Sequence, residues 1–76
     1  MNVTLFTTHR CPHCDALKQW FRKKGIRYTE LRVETNSRAM KKLARKGLRG
    51  VPQVEIDGAF VLPLTYPKLS RACGLT

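Results

Sequence analysis

The sequence predicts an α/β fold of order βαβαββα around a mixed four-stranded sheet. Short β-branched and aromatic segments alternate with amphipathic helical ones over 76 residues, a length that suits one small core. A strand–helix–strand order requires a crossover and makes its strands parallel, whereas Asp57-Gly58 between two apolar segments makes a tight antiparallel hairpin. No repeat, low-complexity tract or linker-like shift interrupts the chain, so residues 1–76 read as a single domain.

Val3, Leu5 and Phe6 mark Asn2 to Thr7 as a buried strand, followed by the loop Thr8-His9-Arg10. Pro12 suits a first helical turn, where its missing N–H would be unpaired anyway, and Asp15 puts negative charge near the positive helix end. The helix should run from Pro12 to about Lys24, with Gly25 as its stop. Cys14, Leu17 and Phe21 form its apolar face, widened by Ala16 and Trp20, with Lys18, Arg22 and Lys23 in solvent. Ile26 to Val33 has the composition of a second strand.

Thr35-Asn36-Ser37 then offers N-cap candidates for a helix from Ser37 to Lys46. Met40, Leu43 and Ala44 make its expected apolar stripe, opposite Arg38, Lys41, Lys42, Arg45 and Lys46. Val51 to Ile56 reads as the third strand and Ala59 to Leu62 as the fourth, ended by Pro63. Leu69, Ala72 and Cys73 mark a short closing helix that begins between Thr65 and Lys68, with Gly74 as its stop. This is the plan of a minimal thioredoxin-like fold.

Fifteen Lys and Arg against five Asp and Glu give a formal charge of +10, which attracts acidic partners in a salt-dependent way. The density of Arg38, Lys41, Lys42, Arg45, Lys46 and Arg49 points to an acidic docking partner. Nucleic acid competes for that role, but no zinc finger, basic zipper or RNA-recognition signature is visible. No segment approaches a membrane span, and Met1-Asn2-Val3 lacks a basic start followed by an apolar run. The expectation is a soluble, cytoplasmic monomer.

Cys11-Pro12-His13-Cys14 lies between a strand and a helix, so Cys11 falls at the helix N-terminus. Unpaired N–H groups and the helix dipole there favour a thiolate, which predicts a Cys11 thiol more acidic than the ordinary ~8.5. His13, when cationic, and Arg10 act in the same direction. A thiolate is the nucleophile of disulfide exchange, and Cys14 sits one turn deeper on the apolar side. The expected roles are attack by Cys11 and resolution by Cys14, with Pro12, His13 and Arg10 tuning acidity. The bland alternatives are two packed cysteines or a metal cluster with His9 and His13, which crowds four tetrahedral ligands. No metal site is expected, and Cys73 reads as a small buried hydrophobe.

Phe6-Thr7, the CPHC motif, the run Gly50-Val51-Pro52-Gln53-Val54-Glu55-Ile56-Asp57-Gly58 and the whole element order resemble the glutaredoxin family. Two of its branches are similar: glutaredoxins and the small redoxins that donate electrons to ribonucleotide reductase. The resemblance implies a cytoplasmic thiol–disulfide oxidoreductase of electron transport and cell redox homeostasis. It implies no bound cofactor, with electrons from glutathione or from thioredoxin reductase. It also implies a cis Pro52 beside the cysteines, with the backbone of Val51 and the position of Thr8 facing substrate.

Departures from the family pattern fall at its glutathione contacts. Thr8 stands where a basic residue is usual, Gly50 where a Thr precedes Val-Pro, and Leu62-Pro63-Leu64-Thr65-Tyr66 where glutaredoxins carry Gly-Gly-x-Asp-Asp. The redoxins' Trp-Ser-Gly-Phe is also absent. The rival functional class is a basic binding module that uses the fold as a scaffold.

Overall fold

A computed structural model describes residues 1–75; Thr76, the last residue of the expected domain, lies outside the described residues. The elements are β1 (Val3–Thr7), α1 (Pro12–Lys23), β2 (Thr29–Arg32), α2 (Ser37–Arg45), β3 (Gln53–Ile56), β4 (Ala59–Phe60) and α3 (Tyr66–Ala72). The sheet order is β2-β1-β3-β4. β1 is parallel to β2, with Thr7 opposite Arg32, and antiparallel to β3, with Leu5 opposite Val54. β3 and β4 close an antiparallel hairpin whose turn residues Asp57 and Gly58 both have positive φ, 49° and 88°.

Because successive strand residues point to opposite faces, β1 feeds two cores. Val3 and Leu5 join Leu17, Phe21, Val54, Ile56, Val61 and Leu69 under α1 and α3. Phe6 joins Ala39 and Leu43 under α2, with Phe60 tilted against it at 5.5 Å. Trp20 packs on the edge of the larger core, 5.4 Å from Phe21 and 5.8 Å from Tyr66 between ring centroids.

Each helix end is satisfied locally. The last turn of α1 closes through Gly25 N–H to Arg22 C=O at 3.1 Å and Ile26 N–H to Phe21 C=O at 2.9 Å, the double bond that a left-handed Gly25 (φ 70°) permits. Asn36 caps α2 by accepting from Ala39 N–H at 3.0 Å, and Thr65 caps α3 by accepting from Lys68 N–H at 3.3 Å.

Five expectations need correction. The second strand covers Thr29–Arg32, not Ile26–Val33, because Ile26 N–H is engaged by the end of α1; Ile26 and Tyr28 still pack on the core. The third strand begins at Gln53, since Pro52 has no N–H to pair. The fourth ends as a strand at Phe60, although Val61 N–H still reaches Val54 C=O at 2.9 Å. On α2 the buried pair is Ala39 and Leu43, one turn apart, so Met40 is 52% exposed and Ala44 is exposed. Lys18, expected in open solvent, is half-buried and reaches β2, where Nζ lies 2.8 Å from Glu30 Oε2.

Candidate active site

The loop after β1 turns through Arg10, whose φ of 53° lies in the left-handed region, and delivers Cys11 to the N-cap of α1. Cys11 is extended (φ −116°, ψ 98°), and its sulfur accepts the Cys14 N–H at 3.2 Å. Pro12 occupies the first helical turn, and Cys11 C=O accepts Asp15 N–H at 3.0 Å. The Cys11 and Cys14 sulfurs are joined in a disulfide, with Cα atoms 5.2 Å apart. Cys11 is half-buried, whereas Cys14 is 1% exposed on the face that also carries Leu17 and Phe21. One sulfur can therefore meet a substrate while the other waits behind it.

His13 and Pro52 come together in the wall of a groove of about 250 Å³, completed by Leu17, Leu64, Thr65, Tyr66 and Leu69. The Val51–Pro52 peptide bond is cis. The stretch that departs from the family pattern thus presents Leu64, Thr65 and Tyr66 to the same groove as the cis-proline. Thr8 and Val51 do not line that groove. They border a second one, of about 520 Å³, that runs along α2. Arg10 is exposed and has no carboxylate partner among the described residues.

The sequence reading missed what holds the loop before Cys11. The Glu34 carboxylate accepts Thr8 Oγ1–H at 2.8 Å and His9 N–H at 2.9 Å, pairs with the His9 ring, and lies 3.2 Å from Arg32 Nε. The His9 ring, then Thr8, hold the Glu34 carboxyl down to about 2. The signal for this network is the parallel register: Thr7 opposite Arg32 puts Glu34 two residues further along, beside His9.

Glu30 accepts Thr7 Oγ1–H at 2.7 Å and pairs with Lys18, so Lys18 and then Thr7 hold its carboxyl below the ordinary carboxylate pKa. Cys73, expected as a buried hydrophobe, is only half-buried at the end of α3 against the larger core, and that burial pushes its thiol up. Among the described residues no three His, Cys, Asp or Glu side chains group to hold a metal ion. Among the described residues no helix is long and apolar enough to cross a membrane.

The Glutaredoxin family model matches residues 3–61, which takes in every element but α3. The chain belongs to the glutaredoxin family. Glutaredoxin 3 of Escherichia coli (strain K12) is 31% identical over 61 residues, covering 79% of this chain and 74% of that protein. A glutaredoxin of Pseudomonas aeruginosa is 36% identical over 60 residues, covering 78% and 71%. Among solved structures, the thioredoxin-like protein BC3987 superposes with a TM-score of 0.83 at 25% identity, over 93% of this chain and 99% of its own. A buckwheat glutaredoxin–glutathione complex gives 0.67 at 27% identity, over 78% of this chain and 57% of that one. The fold is accordingly thioredoxin-like, and the family match ends at Val61, just before the divergent Leu62–Tyr66 stretch.

Proposed function

We propose that this glutaredoxin, acting as a single domain, reduces protein and small-molecule disulfides by dithiol exchange at Cys11 and Cys14. The observation that carries the reading is the N-cap placement of Cys11, whose sulfur accepts a backbone N–H and is bonded to a cysteine buried behind it. That N–H and the helix end stabilise negative charge on sulfur. Pro12 sets the first turn, while Arg10, and His13 when cationic, add positive charge nearby.

In the reduced protein the Cys11 thiolate attacks one sulfur of the substrate disulfide. The other sulfur leaves as a thiolate and takes a proton from water. Cys14 then loses its proton to solvent and attacks the Cys11 sulfur of the mixed disulfide. The Cys11–Cys14 bond forms and the second substrate sulfur leaves, so the substrate gains two electrons and two protons and the dithiol loses them. The backbone of Val51, before cis-Pro52, is suited to hold an extended substrate by strand-like hydrogen bonds, and Thr8 borders the same approach.

Glutathione is the favoured reductant, supported by family membership and by the buckwheat complex. Thioredoxin reductase is the second donor, favoured by the replaced glutathione contacts at Thr8, Gly50 and Leu62–Tyr66. Ribonucleotide reductase is a candidate among protein acceptors, in a cytoplasmic, monomeric setting.

Turnover of a small disulfide with NADPH, measured once through glutathione and glutathione reductase and once through thioredoxin reductase, tests the reading. Cys11→Ser is expected to abolish turnover. Cys14→Ser is expected to accumulate mixed disulfides with protein substrates and to keep activity only where glutathione resolves them from outside. Silence of the wild type with both donors overturns the proposal in favour of a binding module.

A further inference from the structure

We propose that the groove along α2 is the docking surface for an acidic, extended segment of the protein substrate. This rests on the disulfide-reducing activity proposed above, which it supplies with a substrate class. The groove is walled by Met40, Leu43, Ala44, Leu48 and Val51, with Arg49 in its lining. Its lining includes Val51, the residue before the cis-proline, and Thr8 of the loop before Cys11, so a chain lying in it borders the position where a substrate strand would pass Cys11.

Charge identifies the occupant. All five carboxylate side chains are already engaged: Asp15 and Glu30 with Lys18, Glu34 with His9 and Arg32, Glu55 with Lys42, and Asp57 with the Asn2 N–H. Of the 15 Lys and Arg, only Lys18, Arg32 and Lys42 have a carboxylate partner among the described residues. Arg38, Lys41, Arg45 and Arg49 therefore lie exposed on and beside the groove's helix without one. Lys41 neighbours the groove residue Ala44 at i+3 and Arg45 at i+4, so positive charge continues outward from the rim. A segment with one apolar side chain flanked by Asp or Glu matches both features: the side chain covers the exposed Met40, and the carboxylates meet Arg49 and Lys41.

The test is single-turnover oxidation of the pre-reduced protein by two disulfide-containing peptides of equal length, one acidic and one with lysines in place of the acids. Bis(2-hydroxyethyl) disulfide serves as an uncharged control. The wild type is expected to react at least about tenfold faster with the acidic peptide at low salt, and to lose that preference as salt rises. Lys41→Glu with Arg49→Glu is expected to abolish or reverse the preference and to leave the rate with the small disulfide unchanged. Met40→Glu should weaken it independently.

Equal rates with both peptides would overturn the docking surface while leaving the activity intact. An equal loss with the small disulfide in the double variant would also overturn it. Failure to react with any disulfide would remove the activity and the docking surface together. Tighter binding of a mixed-sequence oligonucleotide than of the acidic peptide, lost in the same double variant, would assign this face to nucleic acid instead.

Discussion

Among the described residues the face of the sheet under α1 and α3 clusters eight buried apolar side chains, Leu5, Phe21, Val54 and Leu69 completely, whereas the face under α2 clusters three and must also take in the carboxylate of Glu55. The deep side holds the helix that carries Cys14 and is capped by Cys11, so the geometry of the pair is backed by many packed neighbours. The shallow side holds α2 by Ala39 and Leu43 and leaves the rest of that helix to solvent. The chemistry proposed for the cysteines is therefore anchored where substitution is costly, and the proposed partner surface lies where residues can change with little effect on the cysteine pair.

The strongest way to break this comparison is to truncate one side chain on each face. Phe21→Ala is expected to cost about 3–5 kcal/mol, enough to bring so small a domain close to unfolding. Leu43→Ala should cost nearer 2 kcal/mol, because its site opens onto a groove that can relax. Urea unfolding followed by circular dichroism reads both. Equal losses would mean that the two cores contribute alike.

A smaller effect sharpens the shallow side. Lys42 Nζ lies 2.8 Å from the Glu55 carboxylate, which is 7% exposed. Lys42→Met leaves that charge without its partner and should destabilise the fold by about 1–3 kcal/mol. The double variant Lys42→Met with Glu55→Leu should recover most of the loss in the same unfolding measurement.

The two helix-end cysteines extend the comparison to acidity. Cys73 is pushed up by burial. Cys11, at an N-cap with a backbone N–H on its sulfur, should titrate below the ordinary ~8.5, by thiolate absorbance in the Cys14→Ser variant. A midpoint at or above that value would remove the helix end as the source of activation.

The smallest expected change concerns Glu34. Its carboxyl is lowered from 4.5 to about 2 by the His9 ring and Thr8. A lowered folded value stabilises fully above the unfolded 4.5 and is lost as pH falls toward 2. Glu34→Gln should flatten that acid limb of the stability profile, an effect kept small by solvent around the group.

Much of this arrangement was legible in the sequence. The element order, the N-cap role of Cys11 and the hairpin at Asp57-Gly58 follow from local chemistry: a proline in a first turn, glycine stops, and i, i+3 and i+7 apolar spacing. What was not legible depends on how elements meet. Met40 fits an apolar stripe as well as Ala39 does, and only the position of Phe6 beneath α2 decides which is buried. His9 and Glu34 become partners through the parallel register of β1 and β2, and Lys18 meets Glu30 by reaching from α1 to β2, neither of which a local pattern encodes.

Trp20 is the one tryptophan of the chain, and its indole stands against Tyr66, a wall of the groove that also contains His13 and Pro52. The protein consequently carries its own fluorophore beside the substrate approach. Its emission should shift when the groove fills and again when the larger core melts, so occupancy and unfolding can be followed optically without attaching a dye.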